Sequence, residues 1–472
     1  MKKFFIILLV FMSFNLLAQE TNNPIYNENC YTIAVGKNAT ANHKVMIGHN
    51  EDDWGDLIVN IYKVPPVDHK PGSTLTLLNG TKIPQVAHTN GYLWWETTNE
   101  KFGDYYLNQD GVSICSNACP SKEDTAKGNI GFYLRRIIAE RAHTAKEGVK
   151  IAGELISTLG YASSGRTYCI ADPNEIWLLA VVQGHQWIAE RVPSDSVAIV
   201  PNYYTIENVN LKDTTNFLAS PGLIQYAVLR GWYEPTPEKA FNFKTVYSEP
   251  YYRFAIGNVA RHWSGINALA NKTFSLYKDI PFSFTPKKPL TVKDLQNVLS
   301  SHYEGTDFET NYSLHKNPHR NLVNRICNAG TKYSLVTQLY DDRPANEAYI
   351  VWFAPLNPCI HPYIPIVYGI KKIPEVYQNR PLDQILQYCF SAKGNTFEDN
   401  PESAYGIFEK YNASIDADYQ AKMKTMKMWK NSFEDEARET MLKALKDKNV
   451  SPGLVSEELM LKLYKTEKGK VQ

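Results

Sequence analysis

No G-x-G-x-x-G, Walker A, H-E-x-x-H or G-x-S-x-G pattern occurs in the 472 residues. That removes the most recognisable signals of dinucleotide, nucleoside triphosphate, zinc-protease and serine-hydrolase chemistry. An electrostatic footprint is missing as well, because the formal charge is +1 and Lys and Arg are spread along the chain. Nucleic acid and acidic membrane surfaces are therefore not expected partners. After one opening apolar run, no segment approaches the roughly 18 to 20 uninterrupted apolar residues of a spanning helix, so no membrane anchor is expected. There is no internal repeat and no low-complexity linker. The 11 histidines are scattered. His315 and His319 have an i, i+4 spacing, but Pro318 between them argues against a helix that would put both on one face. They read as surface loop histidines, and neither a metal centre nor a cofactor is expected.

What is present begins with Lys2 and Lys3, an apolar run from Phe4 to Leu17, and Ala18 as the small residue before a cleavage point. Residues 1–18 thus read as a signal peptide, excluded from the fold, and the mature chain is expected to be exported and soluble. Seven cysteines follow: Cys30, Cys115, Cys119, Cys169, Cys327, Cys359 and Cys389. In an oxidising compartment an odd number leaves one over after any complete pairing. Aromatic residues make up 12% of the chain, with 30 Tyr, which suits half-buried pleated surfaces.

Alternation predicts strands in "CYTIAVG" and "KVMIGHNED", joined by the polar turn "KNATANH" as an antiparallel pair. Further strands are expected at "YCIADP", "IWLLAVV", "HQWIAERV", "VAIVPN", "YSLVTQLY" and "EAYIVWFAP". Helical periodicity marks "GFYLRRIIAERA" and "TAKEGVKIAGELISTLG", where Thr144 and Glu147 have capping-box spacing and Gly160 ends the pattern. From Tyr419 to Leu445 apolar residues recur on one helical face, a stripe that reads as packing rather than a cofactor box. The expected body is mixed α and β, antiparallel-leaning, with a helical tail.

Cys30 opens the first strand after a polar stub, Gln19 to Asn29, and admits three readings. A lipid-anchor cysteine would directly follow the hydrophobic signal, and Cys30 lies too far beyond Ala18. A disulfide half is the ordinary role in a secreted protein. The third reading is an N-terminal nucleophile: cleavage between Asn29 and Cys30 would give one residue both a thiol and a free α-amine. With an unperturbed pKa of about 7.7 to 8.0, that amine can act as the base for its own side chain.

Several blocks resemble the N-terminal-nucleophile (Ntn) cysteine dipeptidases of the dipeptidase A type, related to secernins. They are Cys30-Tyr31-Thr32 with Val35 to Thr40, His49-Asn50-Glu51-Asp52, "AHTAKEG", "YCIADPNEIWLLA", "WIAERVP", "HYEGT" (His302 to Thr306), and the stretches "RICNAGTKYSLVTQL" and "YIVWFAPLNPCIHPYIPIVYGI". They are collinear from Cys30 to about Tyr388. The resemblance implies an α+β fold, a four-layer αββα Ntn-hydrolase sandwich of two antiparallel sheets, with a helical C-terminal extension. It divides the chain into a signal peptide (1–18), a propeptide (19–29), a hydrolase domain (30–400) and the extension (401–472). It also implies self-cleavage before Cys30, and hydrolysis of dipeptides or short peptides with a free N-terminus, without a metal. A related amidase acting on N-acyl amino acids or on bile-acid- or penicillin-like amides is the alternative, and so is a non-catalytic protein on the same scaffold.

By the same resemblance Cys30 would attack the scissile carbonyl and Asp52 would bind the α-amine, with a turn-forming Asp as its bland reading. Asn202 falls where acylase relatives carry an oxyanion donor, and Asn117 is a looser candidate. Arg261 could hold a substrate carboxylate or form a structural salt bridge. His49 departs from the family's Arg and puts the activation of the thiol in question. His302 and Glu304 read as structural or substrate-positioning, and Cys327 and Cys359 as a disulfide. A small peptide is the expected partner, and self-association is left open.

Overall fold

The computed structural model describes residues 30–53, 57–98, 102–237, 240–278, 280–311, 317–319, 323–389 and 400–472. The expected signal peptide, the propeptide and His315 lie outside them. Fourteen strands form two large antiparallel sheets. In chain order they are β1 (Tyr31–Val35), β2 (Val45–Asp52), β3 (Ile58–Val64), β4 (Tyr92–Thr98), β5 (Phe102–Asn108), β6 (Ser113–Ala118) and β7 (Tyr161–Ala171). The series continues with β8 (Ile176–Gly184), β9 (Trp187–Arg191), β10 (Val197–Val200), β11 (Phe217–Ala219), β12 (Thr331–Leu339), β13 (Tyr349–Pro355) and β14 (Ile364–Val367). One sheet has six strands in the order β10-β1-β2-β12-β13-β14, the other eight in the order β11-β9-β8-β7-β6-β5-β4-β3.

The eight-stranded sheet is apolar on both faces, and strand alternation sorts its side chains into two cores. Leu93, Trp95, Tyr105, Leu107, Cys115, Leu178 and Ala180 join the core shared with the six-stranded sheet. Tyr92, Trp94, Tyr106, Ile114, Leu179 and Val181 meet helices α1 (Tyr133–Arg141) and α2 (Ala145–Leu159) on the far side. Thr144 caps α2 by accepting from the Glu147 amide, and Glu147 reaches back to the His143 amide. Gly160 ends α2 at φ 72°, a left-handed value that glycine adopts without Cβ strain.

The fourth layer covers the six-stranded sheet. Helices α3 (Ile256–Leu269) and α4 (Val292–Leu299) lie over β10, β1 and β2. The C-terminal helices α5 (Ala404–Asp416), α6 (Tyr419–Ala444) and α7 (Pro452–Val471) continue the layer, with α6 and α7 against β14. Phe433, Ala437, Met441, Leu459 and Leu463 enter the main core, so the extension caps the body. The whole is the αββα sandwich the sequence implied. No helix among the described residues is long and apolar enough to cross a membrane.

Two glycines let the helix layer approach the strands that carry the site. Gly48 in β2 faces Leu295 and Leu299 of α4, and Gly265 in α3 leaves the gap filled by the Tyr31 hydroxyl, which donates to the Arg261 carbonyl (3.2 Å). A Cβ at position 265 would collide with that oxygen. Gly265→Ala is therefore expected to destabilise the protein by about 1–3 kcal/mol. Tyr31→Phe, which removes the oxygen, should recover part of the loss in a double-mutant thermal melt; strictly additive effects would contradict this packing.

Candidate active site

Backbone pairing places Cys30. In β1, Thr32 pairs with His49 of β2 on one side and with Val200 of β10 on the other. One step of two residues further along these ladders sets Cys30 opposite Glu51 and Asn202. Because side chains alternate across a strand, Cys30, Thr32, His49 and Glu51 share the face toward the second sheet, and Tyr31, Asn50 and Asp52 share the helix face. Asn50 accordingly donates to the carbonyls of Leu299 (2.9 Å) and Ile326 (2.8 Å).

The backbone carbonyl of Cys30 is clamped by two long side chains. Asn117 of β6 donates to it at 2.7 Å and Arg261 of α3 at 3.3 Å. Asn117 also donates to the Val200 carbonyl (3.0 Å) and accepts from the Thr32 hydroxyl (2.5 Å). Both its N–H groups are thereby used, which leaves it no donor for an oxyanion and makes it a positioning residue. Arg261 spends its guanidinium on Cys30, on Asn202 Oδ1 (2.7 Å), on Asn258 Oδ1 (2.6 Å) and on the Gly257 carbonyl (3.2 Å). Asn202 donates once, to the Ala118 carbonyl at 2.9 Å, and its amide has a second N–H to offer.

Glu51, unremarked in the sequence, is the group nearest the thiol. Cys30 Sγ–H donates to Glu51 Oε1 at 3.6 Å, while Glu51 Oε2 lies 3.1 Å from His49 Nε2. The other ring nitrogen of His49, Nδ1, is 2.8 Å from Thr32 Oγ1. Since the Thr32 hydroxyl gives its proton to Asn117, it must accept from Nδ1–H. One further proton therefore lies between His49 Nε2 and Glu51 Oε2, whichever carries it. His49 is thus locked to a carboxyl group and does not replace a free cation beside the thiol. Two cations approach from the eight-stranded sheet and its helix, Arg166 of β7 and Arg135 of α1, both buried and both against the Phe132 ring. Arg166 donates to Ser116 Oγ at 3.1 Å.

The electrostatics oppose a thiolate. Burial first, then the Glu51 and Asp52 carboxyls, push the Cys30 thiol well up, against a pull from Arg166. Burial likewise raises Glu51, aided by Asp53 and opposed by Arg135 and Arg166. Asp52 is pushed to about 7 by burial, although hydrogen bonds from Thr331 and Asn328 and the charge of Arg261 favour its ionised form. Asn328 donates to Asp52 Oδ2 at 2.8 Å, and Oδ1 is buried without a well-formed hydrogen bond. With its peptide bond to residue 29 intact, Cys30 is a protonated, buried thiol, 2% exposed.

Two expectations are corrected. Cys327 and Cys359 do not form a disulfide: both are free thiols, as is Cys30, and His319 Nε2 sits within 3.1 Å of Cys359 Sγ and 3.7 Å of Cys327 Sγ. His319 is not a surface histidine but is buried, its Nδ1 held by Asp416 Oδ1 at 2.7 Å. His302 lies in the same cluster, its Nδ1 against Glu304 Oε1 at 2.9 Å. Arg135, Arg166, Glu51 and Asn328 were missed by the sequence reading. The available signal was charge inside an apolar run, as in "GRTYCIA" and "IGHNEDD".

The site is thus a buried cysteine just ahead of a central strand of a two-sheet sandwich, flanked by a carboxyl group and an asparagine. The chain belongs to peptidase family C69, whose model matches residues 29–417, and it is a peptidase. It is 25% identical over 432 residues to a probable dipeptidase of Latilactobacillus sakei, covering 88% of this chain and 89% of that one. It is 24% identical over 384 residues to dipeptidase A of Lactobacillus helveticus, covering 75% and 78%. Among solved structures, a variant of conjugated bile acid hydrolase from Clostridium perfringens matches at 11% identity and a TM-score of 0.30, covering 73% of this chain and 94% of that one.

The Asp52 environment gives a pH test in the uncleaved chain. Its folded value, about 7, lies above the unfolded value of about 3.9, so the folded chain holds an extra proton between them and stability falls as pH rises through that window. In a Cys30→Ala background, Asp52→Asn should flatten the decline of melting temperature from about pH 5 to about pH 8. An unchanged slope would mean that burial does not control this carboxyl group.

Proposed function

We propose that the protein is an exported dipeptidase that frees its own nucleophile by cleaving the bond between Asn29 and Cys30. The observation that carries this reading is the placement of Cys30: the residue immediately before β1, carbonyl clamped by Asn117 and Arg261, thiol turned toward Glu51. In the self-cleavage, Cys30 Sγ attacks the Asn29 carbonyl and its proton passes by way of Glu51 Oε1 to the departing amide nitrogen. Water then hydrolyses the resulting thioester and leaves an α-amine on Cys30.

That amine supplies what the uncleaved site lacks. It is a base within the same residue as the thiol, able to take the thiol proton and later give it to the leaving amine of a substrate. Asp52, the buried acid across β2, would pair with the ammonium form. Such a charge would draw the Asp52 carboxyl group back into its ionised state. The second N–H of Asn202 is the donor offered to the oxyanion. A dipeptide or short peptide with a free N-terminus is the substrate that the dipeptidase relatives support, and the opening residues 1–18 support export.

Intact mass and N-terminal sequencing of the purified protein should give a chain beginning at Cys30. Cys30→Ala should retain the preceding residues and lose turnover of a dipeptide panel. Glu51→Gln should slow self-cleavage by at least about tenfold, and more than it slows the matured enzyme, because only the first step lacks the amine. An active Cys30→Ala variant would sink the proposal, and preferential cleavage of N-acylated amino acids would move the enzyme to the amidase reading.

A further inference from the structure

Away from the site just described, four groups that ligate soft metals converge in the interior: His302, His319, Cys327 and Cys359. Their ligand atoms lie within 4.8 Å of one another and all four residues are buried. The geometry points to a structural zinc site, with His302 Nε2, His319 Nε2, Cys327 Sγ and Cys359 Sγ as its ligands. The four residues come from separate segments and match no compact spacing pattern, so only the folded chain shows them as one cluster.

Three observations favour a metal ion. First, tetrahedral zinc with bonds of about 2.0–2.1 Å to imidazole and about 2.3 Å to thiolate has edges of about 3.3–3.8 Å. His319 Nε2 stands 3.1 Å from Cys359 Sγ and 3.7 Å from Cys327 Sγ, and with all four ligand atoms within 4.8 Å of one another the cluster closes on an ion by side-chain shifts of up to about 1 Å. Second, each imidazole has its rear nitrogen on a carboxylate, His302 Nδ1 on Glu304 (2.9 Å) and His319 Nδ1 on Asp416 (2.7 Å). This arrangement fixes the tautomer that presents an Nε2 lone pair to the cluster, and it is the usual support of zinc-bound histidine. Third, His302 Nε2 is buried with no hydrogen-bond partner of normal geometry among the described residues. A Cys327–Cys359 disulfide would worsen that, since oxidation removes the two S–H donors and strands both Nε2 atoms.

The surroundings suit a closed site. Ile360, Tyr411, Ile415, Tyr419 and Met426 form an apolar shell, and the Tyr419 ring stands 5.7 Å from His319 and 6.5 Å from His302. Four protein ligands leave no open position, so the role is structural. Binding displaces the two thiol protons and links loop segments of the hydrolase body to the junction of α5 and α6, where Asp416 and Tyr419 lie. The site also touches the catalytic layer: Asn357 donates to Cys327 Sγ (3.6 Å) and to the Asn328 carbonyl (2.6 Å), and Asn328 holds Asp52.

Metal content decides the matter independently of peptidase activity. Full-length protein purified from zinc-supplemented culture should carry about one zinc per chain by elemental analysis. After reduction and chelation it should take up Co²⁺ with the intense visible absorption of a tetrahedral thiolate site, and removal of the ion should lower the melting temperature. Cys327→Ser with Cys359→Ser should abolish uptake. Should that variant fail to fold, Glu304→Gln decides, because loss of the rear carboxylate of His302 should weaken zinc binding about 10- to 100-fold in a folded chain. Zinc binding that Glu304→Gln leaves untouched would overturn the site. So would a reduced wild-type chain that takes up no Zn²⁺ or Co²⁺, or a native chain in which Cys327 and Cys359 are covalently linked.

Discussion

The position of β1 between β2 and β10 is the constraint on which the rest of the site depends. Cys30 lies one residue beyond the pairing with β2 and two beyond the pairing with β10, and the pleat decides which way its thiol points. A slip of one residue would turn the thiol into the helix layer and bring Tyr31 between the sheets. Three contacts hold the register: the Tyr31 hydroxyl in the gap over Gly265, the Thr32 hydroxyl in the Asn117–His49 network, and the clamp of Asn117 and Arg261 on the Cys30 carbonyl. They come from the eight-stranded sheet and the helix layer on either side of β1, so Cys30 is fixed by packing between layers rather than by a local turn.

The same burial that fixes the thiol also disarms it. Burial, Glu51 and Asp52 all favour the neutral thiol in the uncleaved chain, and Arg166 opposes them incompletely. A free amine at the same residue, as proposed, would change the balance, since it would introduce a base and, when protonated, a positive charge among buried acids. His49 takes a different part from the one its departure from the family pattern suggested. It is tied to Glu51 and Thr32, while Arg135 and Arg166, in the opposite sheet and its helix, act on Glu51 and Arg261 of α3 acts on Asp52.

The strands carrying the nucleophile were legible because β1 and β2 have a simple alternation, and α2 because its cap residues and Gly160 bound a clear period. Strands β3 to β6 were not read from the sequence: runs such as "GYLWWETT" are buried on both faces and lose the period of two. Helix α3 was missed because Asn258 and Arg261, spent on the site, interrupt its apolar stripe, and α4 was missed although Thr291 and Asp294 form a capping box ahead of its apolar face. Cys30, Asp52 and Asn202 could be named from the sequence blocks, but their roles depend on which face each occupies. Glu51 escaped notice beside two more familiar acids, and the pairing supposed for Cys327 and Cys359 ignored two histidines that only the folded chain brings to them.

The central claim is that the working enzyme carries a thiol and a free amine on one residue, Cys30. A cyanobenzothiazole reagent condenses only with such a 1,2-aminothiol, so the most direct measurement is to unfold purified, active enzyme, treat it with the reagent and locate the label by mass spectrometry. A single adduct at Cys30, absent from uncleaved chain, is the expected result. Active enzyme that yields no adduct at Cys30 would contradict the account.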